Sequence, residues 1–145
     1  MKEEMMEFIR GKDICVLCTA SQSGPWCSMM SYVAGPSGDR IYTATRRGSR
    51  KHQNIQTNPI VSVLIDDREE RTGEDRSRIR AMTASGQAAE VADKTERERI
   101  LGELAARHPQ LKELLADDAT ALLEVRFNSL LLLRGVSDSI YIELD

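Results

Sequence analysis

Between Thr43 and Ile55 the chain reads TATRRGSRKHQNI, and Arg46, Arg47, Arg50 and Lys51 crowd four cations into that short stretch. Gly48 and Ser49 separate them, so a strand end, a glycine, a serine able to cap a helix and the first turn of that helix follow one another. Free backbone N–H groups and the positive helix end attract an anion at such a place. Ser49 can donate its hydroxyl there, and Arg50 or Lys51 can add charge. A phosphate monoester fits this chemistry. The plainer alternative is a solvated basic helix start, because Lys and Arg are common on surfaces.

The basic cluster is local, since the whole chain of 145 residues carries a formal net charge of −3. With 41% hydrophobic residues, residues 1–145 are enough for a single domain with one core. The acidic balance, and the lack of aromatic residues interleaved with the cluster, argue against a nucleic-acid partner. No apolar run approaches the roughly 20 residues of a membrane helix, and MKEEMMEF is too acidic to open a secretory signal. The expectation is a cytoplasmic protein with no membrane partner.

Three cysteines and two histidines invite a metal or redox reading. Cys15 and Cys18 have C-x-x-C spacing, but they lie in ICVLCTA, a β-branched, apolar run that reads as a strand. Residues three apart on a strand point to opposite faces, which opposes a shared metal or a disulfide. His52 and His108 complete no ligand set, so no metal site is expected, and the cysteines read as buried structural residues.

The elements that must position the cluster follow from periodicity and punctuation. Lys2–Arg10 reads as an amphipathic helix (1–11 with its flanks) with Met5, Met6 and Ile9 inward, stopped by Gly11 in a left-handed cap. Strands are expected over Ile14–Thr19, Trp26–Ala34 and Arg40–Thr45, with Gly35–Asp39 as a hairpin connection. Tyr32 and Tyr42 on adjacent strands are candidates for a cross-strand pair. Trp26 is expected to close the barrel or an interface.

Ser49 then caps a helix to Thr57 with Ile55 inward, and Val61–Ile65 is a strand. Asp66–Arg78, rich in charges of both signs, reads as a solvated loop. Ile79–Val91 is a longer strand in which Gly86 marks a bulge or a close backbone approach. A helical insertion over 93–116 begins at the Asp93/Glu96 capping pair and resumes after Pro109. Ala121–Phe127, Leu130–Leu133 and Ser139–Glu143 end the chain as three short strands within 120–145. The whole reads as mainly β with α, an α+β fold built on a small antiparallel barrel with helical decoration.

The order strand, strand, T-x-x-x-x-S-x-K, short helix, N-P, strand in IYTATRRGSRKHQNIQTNPIVSVLI resembles the FMN-binding split-barrel family that includes pyridoxamine 5′-phosphate oxidase. The resemblance covers Ile14–Val91 and implies a split β-barrel. It places Ser28, Met29 and Met30 beside the flavin ring and Thr43, Ala44 and Thr45 beneath the ring and ribityl chain. Ser49 and Lys51 would take the phosphate, with Arg46, Arg50 or His52 assisting. The family also implies a homodimer with flavin between subunits, where the region of Gly86 and Gln87 of the partner chain would complete the site.

The Arg and His that grip pyridoxal phosphate in the oxidase proper have no counterpart in SDSIYIELD. The expectation is therefore a relative acting on another small substrate. FMN is the expected cofactor, with a deazaflavin as the alternative and haem last. No catalytic residue is assigned, because the flavin would carry the hydride and the protein would supply position and electrostatics. A non-enzymatic flavin carrier or sensor is the competing reading.

Overall fold

Why a strand pairs where it does is settled here by turns and by alternation. The computed structural model describes Met1–Asp145. Helix α1 (Lys2–Gly11) leads into β1 (Ile14–Ser21), β2 (Gly24–Ala34) and β3 (Arg40–Arg46), and α2 (Arg50–Thr57) precedes β4 (Ile60–Asp66) and β5 (Arg80–Glu90). Helices α3 (Lys94–Arg107) and α4 (Lys112–Ala116) are then followed by β6 (Thr120–Arg134) and β7 (Asp138–Glu143). All pairings are antiparallel. In space the strands run β3, β2, β1, β4, β5, β6, and β6 returns to β3, which closes a barrel of six strands; β7 extends β6 as a hairpin.

Alternation decides what fills the barrel. Leu17, Tyr32, Ile41, Val63, Ile65, Met82, Ala84 and Val125 are fully buried in one core. Removing that apolar surface from water is the main stabilising term. Helix α1 stoppers one end with Met5, Met6, Phe8 and Ile9, and the Tyr32 hydroxyl donates to the Ile9 carbonyl at 2.7 Å. Helix α2 closes the other end, where Ile55 joins the core and Asn54 donates to the Thr19 hydroxyl at 3.0 Å. Helices α3 and α4 cover the outside of β3 and β6, packing Ile100 and Leu104 against Tyr42, Ala44 and Leu122, with Leu114 at the edge.

Several sequence expectations need correction. The last three strands are two, because Ala121–Phe127 and Leu130–Leu133 are one continuous β6. Ser85 pairs with Ser129 and Gly86 with Phe127, so Asn128 is an extra residue that bulges out of the ladder and does not end the strand. Gly11 lies inside α1 and is not a left-handed cap; extended Lys12 ends the helix. Tyr32 and Tyr42 face Thr43 and Val33 respectively, and not each other.

The charged segment after β4 is no plain solvated loop. It contains two short 3₁₀ turns, and Asp67 is buried, accepting from the Arg80 amide at 2.8 Å and its Nε at 3.1 Å. Burial alone would raise the Asp67 carboxyl, yet the Arg80 hydrogen bonds and charge outweigh it and hold the group below its ordinary value.

Gly86 is needed for closeness of backbones. A Cβ there would lie 2.0 Å from the Arg126 carbonyl oxygen, an atom that only a backbone shift can move. Gly86→Ala is therefore expected to lower the unfolding free energy by about 1–3 kcal/mol, the usual range for forced overpacking. Urea titration should show a reduced midpoint with an unchanged slope. An unchanged midpoint would mean that the bulge has slack the geometry does not show.

Candidate functional site

The barrel is parted along one seam. β2 pairs with β3 only from Tyr32↔Thr43 to Ala34↔Ile41, and at the last rung the Thr43 hydroxyl donates to the Ser31 carbonyl at 2.8 Å. Beyond that rung, β2 continues back to Gly24 held by β1, and β3 runs on to Arg46 held by β6. The strands face each other there without pairing. A cleft opens between them, walled by Met29, Met30 and Ser31 from β2 and by Ala44, Thr45 and Arg46 from β3.

Ser49 and Lys51 form one mouth of this cleft, and Leu111 and Leu114 of the helical insertion form its apolar rim. Gly48, at φ +85°, turns the chain from β3 into α2, a conformation that suits glycine. Ser49 then caps the helix as expected, accepting from the His52 amide and sharing a 3.0 Å hydrogen bond with the Thr45 hydroxyl. The backbone N–H groups of Arg50 and Lys51 have no acceptor within the chain. They are the orphan donors that every helix start leaves.

The four cations of this stretch have different fates. Arg46 pairs with Asp117 at 2.8 Å, and Arg47 grips Glu90 with two hydrogen bonds of 2.8 and 2.7 Å. The Arg50 guanidinium lies over the Trp26 ring, 4.4 Å from its centre. Trp26 does not close this chain's own barrel: it is 43% exposed, with one face under Arg50. Lys51 alone has no carboxylate partner and no stacked ring.

The carboxylates record the pairing. The hydrogen bond from Arg47 holds Glu90 below its ordinary value against the opposing effect of burial, and the Ala119 amide with Arg46 does the same for Asp117. His52 Nδ1 accepts the Gly48 amide at 3.0 Å, which puts the ring proton on Nε2, the atom 3.6 Å from Glu90. Gly48 is therefore fixed by a buried imidazole that is itself oriented by Glu90.

Of the residues expected in the site, Met29, Met30, Ala44, Thr45, Arg46, Ser49 and Lys51 line the cleft together. Thr43 is buried at the last rung, Ser28 is the next residue on β2, and Arg50 turns aside to Trp26. Gln87 is exposed on β5, opposite Ile60, and does not line this chain's own cleft. Sequence reasoning missed Leu111, Leu114, Asp117 and Glu90. Only the apolar spacing of Leu111, Leu114 and Leu115 offered a local signal.

Glu90 ties α2 to β5, so its titration should be visible in stability. A carboxylate whose folded pKa is depressed contributes stability above its unfolded value, near 4.5, and that contribution fades as pH falls through the folded value. Glu90→Gln should cost less than about 1 kcal/mol at neutral pH, as for other half-exposed pairs. The gap in melting temperature from the wild type should narrow below pH 4.5. A gap that widens on acidification would contradict the assigned pairing.

The sequence profile of the pyridoxamine 5′-phosphate oxidase family matches residues 1–133. No curated protein matches the chain in sequence. Among solved structures, General Stress Protein 26 from Bacillus anthracis str. Sterne superposes with a TM-score of 0.74 at 22% identity, over 99% of this chain and 98% of its own. A heme binding protein from Mycobacterium smegmatis gives 0.84 at 15% identity over 98% of this chain, which spans only 57% of that one. A FAD-binding protein from Mesorhizobium loti gives 0.69 at 16% identity, covering 88% and 87% of the two chains. These likenesses concern the fold; the profile leaves out only the end of β6 and the β7 hairpin, and the chain belongs to the pyridoxamine 5′-phosphate oxidase family.

Proposed function

We propose that the chain binds FMN in the cleft between β2 and β3 and acts as an oxidoreductase on a small substrate. The observation that carries this reading is the company of Lys51. An unpaired ammonium, the Ser49 hydroxyl and two unaccepted helix-start N–H groups stand at one mouth of a cleft whose walls are unpaired strand edges and methionine. The phosphate would sit at Ser49 and Lys51. The ring would lie along Met29–Ser31 and Ala44–Thr45, where unpaired backbone can meet its polar edge. Bound flavin supplies hydride or electron transfer, and the chain's own part is to hold the phosphate, orient the ring and exclude water.

Names among the structural neighbours raise other groups, FAD and haem. Imidazole is one of several haem ligands, beside thiolate, thioether and phenolate, and neither histidine of this chain stands free in the cleft. His52 and His108 are both buried, the first engaged by Gly48 and Glu90, the second sharing a 2.9 Å contact with the Tyr32 carbonyl. A deazaflavin would use the same phosphate contacts. A carrier or sensor would show the same binding without turnover, and anaerobic bleaching by a reduced nicotinamide with transfer to an acceptor separates these readings.

The outer face of β4, β1 and β2 supports a homodimer. Ile14, Met29 and Ile60 are 40%, 74% and 64% exposed there, flanked by Val16 and Leu64, a concentration of apolar surface that calls for a cover. A second copy laid on this face would enclose the Met29 side of the cleft, and the partner's exposed β5 could then supply its Gln87. Light scattering should give twice the chain mass. A monomer that binds FMN at full affinity would refute the shared site.

Lys51 should discriminate FMN from riboflavin. Hydrogen bonds to charged groups are worth about 1.5–3 kcal/mol, so Lys51→Ala is expected to weaken FMN binding roughly 10- to 100-fold and leave riboflavin binding unchanged. Melting should shift little, because the residue lies in the first turn of a helix and alanine is a good helix former. Calorimetric titration of both ligands into both apo proteins decides the matter. Equal losses for the two ligands, or none, would remove the phosphate from this helix start.

A further inference from the structure

Four arginines meet at the end of the barrel that α1 stoppers. Arg71 and Arg78 come from the charged segment that joins β4 to β5, Arg80 opens β5 and Arg134 closes β6. With Ser77 and Gly135 they line a hollow of about 490 Å³, and no carboxylate, apolar or aromatic side chain is among its lining residues. The surface presented to solvent there is cationic throughout.

Strand alternation forces two of these charges together. Arg80 shares the inward side of β5 with Met82 and Ala84, Arg134 shares that of β6 with Leu130 and Leu132, and the two arginines are directly opposite in the ladder. Like charges so placed destabilise a strand pair. The neighbouring turn cannot retreat, because the Gly135 amide donates to the Ile79 carbonyl at 2.9 Å and a Cβ on Gly135, at φ +67°, would lie 2.5 Å from the Ser77 carbonyl oxygen.

The carboxylates near the arginines anchor them without covering them. Asp67 reaches Arg80 at 3.1 Å and Arg71 at 3.5 Å, Asp75 reaches Arg71 at 3.3 Å and Arg78 at 3.5 Å, and Glu4 takes Arg134 at 2.8 Å, with Asp138 further off at 3.9 Å. The Arg80 guanidinium also lies over the Phe8 ring, 4.7 Å from its centre. Four guanidiniums carry about 20 N–H donors, yet only three hydrogen bonds leave them within the chain, to Asp75, Asp67 and Glu4. The two buried side-chain polar atoms of the chain that have no hydrogen-bond partner are both here, Nε of Arg71 and Nε of Arg134. Unanswered buried donors cost stability, and an anion on the open side of the same delocalised guanidiniums offsets that cost.

We propose that this hollow is a second anion site, and that it takes a condensed phosphate, a chain of two or more phosphate groups. Guanidinium forks match phosphate oxygens in pairs, and a single phosphate presents too few oxygens to answer four forks, whereas a chain reaches them in turn. Nothing in the lining can stack on a nucleobase, so the phosphates are read and an attached nucleoside is not. The site is separate from the flavin cleft, since Lys51 stands at the α2 end of the barrel and Glu4 and Phe8 of α1 tie the arginines to the other. None of its six residues lies on the outer face of β4, β1 and β2, so a second copy over that face leaves the hollow open.

The test is calorimetric titration of the purified full-length protein, at fixed ionic strength and without divalent cations, with orthophosphate, pyrophosphate, tripolyphosphate and ATP. Affinity should rise with each added phosphate, and ATP should bind no more tightly than tripolyphosphate. Arg78 is 74% exposed, so Arg78→Gln should leave the melting temperature unchanged while weakening tripolyphosphate binding about 10-fold or more. Arg126→Gln, which removes another exposed arginine of β6, and Lys51→Ala, which alters the cleft, should both bind tripolyphosphate within about twofold of the wild type. The proposal fails if tripolyphosphate does not bind or binds no better than orthophosphate, if ATP binds more tightly than it, if Arg78→Gln keeps full affinity, or if either control variant loses as much as Arg78→Gln.

Discussion

The short ladder between β2 and β3 is the feature on which the rest depends. β3 gives all seven of its residues to β6, and β2 gives eight to β1, whereas the two share only three rungs. Each strand is therefore secured from its other side, and the barrel can open at the seam without loosening. Unpaired edges are ordinarily a hazard of sheet proteins, templates for a foreign strand. Here they are flanked by the α2 start and by Leu111 and Leu114.

Charge placement follows the same economy. Four adjacent cations would repel one another and bind anions indiscriminately, but Asp117, Glu90 and the Trp26 ring each take one. What is left is a single ammonium beside a capping serine. This pairing depends on the turn after α4 and on the end of β5, which carry Asp117 and Glu90. The same contacts tie the seam mechanically: Arg47 and His52 link the helix start to the end of β5 through Glu90.

Much of this was legible in the sequence, and what was not has a common cause. The Ser49 and Asp93 caps, the Gly35–Asp39 hairpin and the close backbone approach at Gly86 are local signals, and the structure has each of them. Which cations are neutralised is not local: Asp117 lies 71 residues from Arg46, and Glu90 43 residues from Arg47. Of the three cysteines, read as buried, only Cys15 is so. Cys18 faces Cys27, because the Ser21–Gly24 turn fixes the register that sets them opposite each other; the C-x-x-C spacing drew attention to the wrong partner. Asn128 looked like a strand break for a similar reason, since a bulge and a turn read alike until the neighbouring strand is known.

The central claim is that the seam and the Lys51 mouth together hold a flavin phosphate. Its most direct test is to saturate the purified protein with FMN, remove the excess, denature it and identify the released chromophore by mass. FMN is expected in stoichiometric amount. Release of haem, or of no chromophore at all, would contradict it.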